Sequence, residues 1–464
     1  MALASPTVLP ASLFKAYDIR GVVATALTPD AVRLIGQSIA TLARERGQTA
    51  AVIGRDGRVS GPDLAKALAD GLRAGGLDVV DIGLVATPML YFATYELGIP
   101  TGVMVTGSHN PPEYNGLKMV VAGEAIHGDT ITGLHTRIAE GKLAEGAGAY
   151  STDDITERYM ARIVGDVKLA RPIKIVIDAG NGIPGAFAPE LFKRLGATVV
   201  KELFCEVDGT FPNHHPDPAD PHNLEDVMQA LKDTDAEIGL AFDGDGDRLG
   251  VVTKSGSIIW PDRQLMLFAR DVLSRNPGQQ IIFDVKCSRH VGNVVREAGG
   301  VPLLWRTGHS LVKAKLKETG APLAGEMSGH IFFKERWYGF DDGMYAAARL
   351  LEILSKVEDP SALLEALPNA SSTPELKLEL PEGENVTLVE DLKRTANFEG
   401  VQEVITIDGV RAEFADGFGL ARPSNTTPVV VLRFEADNAV ALERIQAEFR
   451  KAILAVRPDA KLPF

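Results

Sequence analysis

A unit of short apolar strand, charged or glycine-rich loop and helical pattern begins near residues 51, 174 and 281. It recurs at about 100-residue spacing, and that repeat restricts the possible folds more than any single motif does. Ala51-Val52-Ile53 runs into Gly54-Arg55-Asp56, Lys174-Ile175-Val176-Ile177 into Asp178-Ala179-Gly180-Asn181-Gly182, and Ile281-Ile282-Phe283 into Asp284-Val285-Lys286. A further apolar run, Gly102-Val103-Met104-Val105, ends in Thr106-Gly107-Ser108. Helical patterns occupy 63–74, 189–195 and 223–232. Strands alternating with helices predict α/β layers on largely parallel or mixed sheets. Three copies of the unit predict three related domains rather than one large sheet. Ligands in such sheets collect at the carboxyl ends of strands, where these polar turns fall.

Beyond residue 370 the pattern changes. Strands alternate around 375–380, 403–407, 410–414 and 429–434, and a last helix carries Leu442, Ile445, Phe449, Ile453 and Val456 at core-facing spacing. This segment predicts a smaller α+β domain. Gly/Ala-rich 141–148, a turn at 253–256, and 360–374, with three prolines and Ser371-Ser372, mark the junctions, the last of them read as a linker. The expected domains are therefore 1–153, 154–255, 256–368 and 369–464.

With 464 residues, 45% hydrophobic and 24% charged, the chain can build several large cores. A net charge of −14 argues against nucleic acid or an anionic membrane as the main partner, while local Arg and Lys clusters can still hold phosphate. Cys205 and Cys287, the two cysteines, offer neither a disulfide framework nor a zinc quartet. No stretch approaches the ~18 apolar residues of a spanning helix, and the first fourteen residues lack a charged n-region. A cytoplasmic protein is expected.

Residues 243–247 read Asp-Gly-Asp-Gly-Asp, followed by Arg248 and preceded by the apolar run Ile238-Gly239-Leu240-Ala241-Phe242. Three carboxylates at alternate positions after a strand repel one another unless a cation sits among them. Gly244 and Gly246 let the backbone fold tightly enough for all three to point inward. Oxygen-only ligands suit a hard divalent ion, Mg2+ above all where a phosphate supplies a further ligand. An EF-hand is excluded, because its Gly and Glu positions hold Arg248 and Lys254 here. The competing reading is an acidic solvated turn.

Three further loops carry chemistry. In Thr106-Gly107-Ser108-His109-Asn110-Pro111-Pro112, a sharp turn exposes the Ser108 hydroxyl, and His109 is placed to help position a phosphate on it; an ordinary Asn-Pro turn is the alternative. Lys118, nearby in sequence, is either a charge partner or proton shuttle, or a solvated lysine. Gly325-Glu326-Met327-Ser328-Gly329-His330 offers a carboxylate, a hydroxyl and an imidazole. If that segment is extended, Glu326 and Ser328 share a side and suit adjacent sugar hydroxyls. Arg422-Pro423-Ser424-Asn425-Thr426-Thr427-Pro428 sets a guanidinium, hydroxyls and an amide between prolines, a donor set that matches phosphate oxygens. Tyr17, Arg20, Lys286 and His309 are candidates for the same cleft. His214, His215, Asp217 and His222 read as an exposed Pro-rich loop, because the carboxylates at 243–247 already account for a metal.

With these loops in family order over nearly the whole chain, from Tyr17-Asp18-Ile19-Arg20-Gly21 to the Arg422 loop, the sequence resembles the α-D-phosphohexomutases. The Met in Gly-Glu-Met-Ser-Gly-His is similar to the bifunctional phosphomannomutase/phosphoglucomutase branch. The resemblance implies three mixed α/β domains and a C-terminal α+β domain like the TATA-box-binding fold, around a central cleft. It implies that Ser108 is the phosphorylated serine and that Asp243, Asp245 and Asp247, with an oxygen on Ser108, hold Mg2+. Arg248 would neutralise phosphate charge, with His109 and Lys118 beside the transferring group and Arg20 and His309 as further proton-transfer candidates. Glu326, Met327, Ser328, Gly329 and His330 would form the sugar-reading loop, aided by Tyr17 and Lys286. Arg422, Pro423, Ser424, Asn425 and Thr426 would grip the phosphate that is not reacting.

The implied reaction is reversible transfer between the 1- and 6-positions of mannose and glucose phosphates through a 1,6-bisphosphohexose, with glucose 1,6-bisphosphate as activator. Hexose phosphates are the expected partners and a monomer the expected state. The alternatives are a phosphoglucosamine mutase, a haloacid-dehalogenase-type phosphatase using Asp243 as nucleophile, and a non-catalytic sugar-phosphate-binding protein.

Overall fold

A computed structural model describes residues 9–425 and 427–464. Its first three sheets share one core arrangement of four strands. In the first, Tyr114–Val121 runs antiparallel to Gly102–Val105, which lies parallel to Ala50–Arg55 and then Asp78–Leu84. In the second, Leu249–Thr253 runs antiparallel to Ile238–Phe242, followed by parallel Lys174–Asp178 and Thr198–Leu203. In the third, Ile331–Phe333 runs antiparallel to Leu323–Gly325, followed by parallel Gln280–Asp284 and Val301–Trp305. The repeat read near 51, 174 and 281 is thus the same strand of each sheet. The first sheet alone adds Ile19–Val22 and Tyr150–Thr152 at its edges, with Glu124–Ala125 beside Tyr114–Val121.

This topology positions the site. In each sheet a parallel strand turns through a hairpin into its antiparallel neighbour, and the three hairpins carry the Ser108, Asp243–Asp247 and Glu326 loops. All three lie at the carboxyl end of a parallel strand, as open α/β sheets require of a ligand site.

The sheets are locked by a shared core. The helix Thr87–Glu96 is buried from Thr87 to Thr94, so it shows no polar face. Phe92 lies edge-on to Tyr159 at 5.6 Å and stacked with Trp337 at 6.1 Å, joining the first three sheets' layers in one apolar mass. Each such aromatic contributes about 1.5–3 kcal/mol of burial.

The C-terminal sheet is antiparallel throughout, in the order Ser371–Ser372, Val429–Ala436, Gly417–Pro423, Val410–Phe414 and Val401–Ile405, with Leu376–Glu379 also on Val429–Ala436. Helices Glu384–Thr395 and Ala439–Val456 pack on it through a separate core that includes Leu388, Ile445, Phe449 and Ile453. It meets the third sheet's loops through a small apolar cluster of Val285, Phe418 and Leu420 and through hydrogen bonds: Arg411 Nη1 donates to the Val285 and Cys287 carbonyls at 2.5 and 2.8 Å, and Ser288 Oγ to Glu435 at 2.9 Å.

Two local expectations fail. The stretch 360–374 is not a bare linker: Pro360–Glu365 is a helix, with the Asp359 carboxylate accepting from Ala362 N at 3.0 Å, and Ser371–Ser372 is a strand. Asp359-Pro360 is a cap followed by a first-turn proline, a helix-start signal that the proline count obscured. Arg422 and Pro423 also end a strand, Gly417–Pro423, rather than lying in a free loop.

Candidate active site

Ser108 and the acidic loop, far apart in sequence, meet. Ser108 Oγ donates to Asp243 Oδ2 at 3.2 Å, and both residues are buried. The approach depends on Gly244, where an added Cβ would lie 2.5 Å from the Ser108 carbonyl oxygen. Ser108 itself has φ 51°, in the left-handed region, a conformation that costs a non-glycine residue about 1–3 kcal/mol and is characteristic of functional turns. Its amide donates to Thr106 Oγ1 at 2.8 Å.

The acidic loop is organised by hydrogen bonds from several domains. Asp243 Oδ1 accepts from the amides of Gly246 and Arg248 at 3.1 and 3.2 Å. Asp245 Oδ2 accepts from Thr87 Oγ1 at 2.6 Å and from Lys118 Nζ at 2.7 Å, and Lys118 also bonds Asp247. Lys118 is therefore no solvated lysine: the strand Tyr114–Val121 drives it into the cage, where it is 3% exposed. Burial alone would lower its pKa, yet Asp245, Asp247 and Asp243 outweigh that and raise it, so the ammonium is retained.

Arg248 Nε lies 3.5 Å from Asp243 Oδ2. Three carboxylates thus face two cations, an excess of one negative charge. Burial, with Asp245 and Asp247 adding repulsion, pushes the Asp243 carboxyl well above the usual carboxylate range. Asp245 is held below that range, because Lys118 and Thr87 overcome its burial.

The three aspartates offer ligand oxygens within 4.8 Å of one another, and the buried Asp245 Oδ1 and Asp247 Oδ1 have no hydrogen-bond partner among the described residues. Buried oxygens left unpaired at the centre of a carboxylate cluster fit a hard divalent cation. Such a cation together with a doubly charged phosphate would leave the cage's charge balance unchanged.

From the cage a continuous line of side chains runs to the C-terminal sheet. His330 Nδ1 lies 3.5 Å from Asp247 Oδ1 and 3.0 Å from Asp341 Oδ2. The His330 and His309 rings are 5.6 Å apart, and those of His309 and Tyr17 6.3 Å. Tyr17 Oη donates to the Thr307 carbonyl at 2.8 Å and also meets Asn425 Nδ2. Burial lowers the pKa values of His109 and His309, with Arg248 and Lys313 respectively adding to the effect, which favours the neutral imidazole in both. Arg20 pairs with Asp18 at 2.5 Å, and the Asn110 amide, with its oxygen turned to that side, accepts from Arg20 Nη1 at 2.8 Å.

The sugar-reading segment is a tight turn, not an extended one: Glu326 N donates to His330 O and Gly329 N to Glu326 O at 2.9 and 3.1 Å. Glu326 and Ser328 therefore do not share a side by strand alternation, as an extended segment would require. Met327 and Ser328, both half-buried, form the turn's tip, and Met327 N donates to Asp284 Oδ1 at 3.1 Å. Glu326 Oε1 accepts from Gly308 N at 2.6 Å, while buried Oε2 has no hydrogen-bond partner among the described residues. Burial pushes its carboxyl up to about 7, against His330 and with Asp284.

In the C-terminal sheet, Arg422 Nε donates to Asp408 Oδ2 at 3.1 Å, and Ser424 Oγ meets Thr427 Oγ1 at 3.1 Å. Lys286 Nζ is held by Glu375 Oε1 at 2.6 Å. Thr426 lies outside the described residues. The loop around His214 is not simply exposed, since His214 Nε2 lies 3.1 Å from the buried Asp178 carboxylate.

Sequence reasoning missed Arg58, Thr87, Asp284, Glu375, Asp408 and Asp341, which hold the residues it named. Arg58 and Asp284 had a visible cue, each in or beside the charged turn that ends a strand of the repeat, Ala50–Arg55 and Gln280–Asp284.

Fold and site together define a four-domain α/β protein in which a strained serine faces a buried acidic cage. Models of the phosphoglucomutase/phosphomannomutase family match in order: α/β/α domain I at residues 11–145, domain II at 157–256, domain III at 260–370 and the C-terminal domain at 375–452. The chain belongs to this family. It is 57% identical to a phosphoglucomutase of Neisseria meningitidis over 97% of its length and 98% of the relative's. A phosphomannomutase/phosphoglucomutase of Pseudomonas aeruginosa is 52% identical with both chains fully covered. The crystal structure of a family protein from Burkholderia thailandensis is 61% identical and superimposes with a TM-score of 0.95, covering 98% of this chain and all of that one.

Proposed function

We propose that the protein interconverts the 1- and 6-phosphates of glucose and mannose, with Ser108 carrying the phosphoryl group and a Mg2+ ion held by Asp243, Asp245 and Asp247. The observation that carries this reading is the 3.2 Å contact between Ser108 Oγ and the carboxylate cage. When bound, the cation would neutralise charge on the phosphoryl oxygens.

The chain's own residues account for the rest. In the forward step the bond from phosphorus to Ser108 Oγ breaks as one forms to a sugar hydroxyl, and the hydroxyl's proton must leave. We assign that proton to His309 on position, since its ring lies between those of Tyr17 and His330. Lys118 keeps its charge and steadies the cage. Arg422, Ser424 and Asn425 hold the remote phosphate, so either end of a 1,6-bisphosphohexose can face Ser108 once the intermediate has turned. Glucose 1,6-bisphosphate would accordingly act as activator by phosphorylating Ser108. Glu326 accepts sugar hydroxyls, and an enzyme reading O3 and O4 tolerates either configuration at O2.

Comparable turnover of glucose 1-phosphate and mannose 1-phosphate in a coupled assay is the expected result; strong preference for one would refute the dual reading. The Glu326 carboxyl, with its value near 7, gives a pH signature. Its ionised form accepts hydroxyl hydrogens, so KM should fall as pH rises through about 7 in the wild type. Glu326→Gln should raise KM about tenfold and remove that part of the profile, measured by initial rates from pH 6 to 8.

A further inference from the structure

Arg58 is among the most deeply buried arginines, 1% exposed, in a turn that the reaction as described does not use. Its guanidinium receives four carbonyl oxygens, all from the serine loop or its exit. Nη2 donates to Ser108 O at 2.7 Å and Asn110 O at 2.6 Å, and Nη1 to Pro111 O at 2.7 Å and Tyr114 O at 2.9 Å. Phe211, from a loop of the second domain, covers the guanidinium at 5.1 Å. At Gly107 an added Cβ would lie 2.4 Å from the guanidinium carbon, so the loop is wound directly onto it.

The same turn holds the other side of Ser108. Asp56 Oδ1 accepts from Arg58 N at 3.1 Å, Asp56 Oδ2 accepts from Thr106 Oγ1 at 2.7 Å, and Thr106 Oγ1 accepts from Ser108 N. The amide and the carbonyl of Ser108 are thus both tied to residues 56–58, and the carbonyl is pressed against Gly244 of the acidic loop. A residue at φ 51° keeps that conformation only if its surroundings over-determine it.

We propose that Arg58 is a positioning residue for phosphoryl transfer: by collecting four loop carbonyls on one planar fork it holds Ser108 Oγ against the carboxylate cage. The proposal rests on Ser108 being the phosphoryl carrier. A lysine keeps the charge but has no planar fork and cannot reach four carbonyls in one plane. A misplacement of the nucleophile by about 1 Å costs on the order of a hundredfold in rate.

The test compares the wild type, Arg58→Lys and Arg58→Ala, each assayed with glucose 1-phosphate and with phosphate on Ser108 followed by intact mass. Arg58→Lys should lose about a hundredfold in kcat with KM within about twofold, since substrate contacts are untouched. Millimolar guanidinium should restore at least about tenfold of the activity of Arg58→Ala, which a general loss of structure would not permit. Wild-type kcat in Arg58→Lys, while the wild type exchanges phosphate on Ser108, overturns the positioning role alone. A wild type that turns over without phosphate ever appearing on Ser108 overturns the carrier reading, and the proposal with it. Should the Arg58 variants not fold, Phe211→Ala uncovers the guanidinium from the other domain: a several-fold fall in kcat at constant KM supports the role, and unchanged kcat refutes it.

Discussion

Ser108→Ala is expected to lower turnover of glucose 1-phosphate by at least about 10⁴-fold and to leave the protein without covalent phosphate. Among the described residues, the hydroxyls nearest the cage are already engaged. Thr106 Oγ1 is committed to Asp56 and to the Ser108 amide, and Thr87 Oγ1 to Asp245. Asp243 is a poor substitute, because one carboxylate oxygen is held by two amides and the other lies between Ser108 and Arg248. The fold should persist, since the deleted oxygen makes a single contact and alanine keeps the backbone held by its neighbours. The two readouts separate the readings cleanly. Phosphate that survives on Asp243 in Ser108→Ala, with activity retained, would point to an aspartyl phosphatase, whereas a variant that is folded, inert and unphosphorylated fits a serine carrier.

The parts of the site that were legible in the sequence are those where local backbone chemistry and function coincide. Asp243-Gly244-Asp245-Gly246-Asp247 was legible because like charges at alternate positions after a strand repel one another unless cationic groups sit among them. The repeat was legible for a similar reason: apolar runs near 51, 174 and 281 are the same buried strand in three sheets, and complete burial leaves a continuous hydrophobic signature. Helix Thr87–Glu96 and strand Gly417–Pro423 left weaker traces. The first is buried between its own sheet and the neighbouring domains, and the second carries two glycines and is buried on both faces from Gly417 to Arg422, so neither shows a clear period.

The supporting shell was illegible because its members act over long sequence distances. Nothing near Asp408 in the chain announces that it will steady Arg422 and receive the Thr307 amide. Nothing near Arg58 announces four carbonyls. The turn at Glu326 misled for the opposite reason. Alternation predicts a shared face only in extended chain, and the short hairpin between Leu323–Gly325 and Ile331–Phe333 forces a tight reversal there. What the hairpin preserves is Glu326 itself, whose free oxygen ends up buried and available.

Removal of divalent cations is expected to lower activity by about a thousandfold, with recovery on addition of Mg2+. The structure predicts a second, independent effect on stability. Without the ion, repulsion and burial raise the Asp243 carboxyl above its value in the unfolded chain. Between the unfolded and folded values the folded state binds more protons, so metal-free stability falls as pH rises through that window. A cation reverses the penalty by displacing the proton, so its affinity, and the stabilisation it gives, should grow with pH. At a hundredfold excess over Kd, binding adds about 2.7 kcal/mol. Thermal melts of metal-free protein with and without Mg2+, across a pH series, read this directly, and Asp245→Asn is the matched control. A Mg2+-induced rise in Tm that shrinks with increasing pH, or that persists unchanged in Asp245→Asn, would place the cation elsewhere. Loss of the shift in that variant, together with the activity, would tie stability and catalysis to one ion held by oxygens that the fold buries and leaves unpaired.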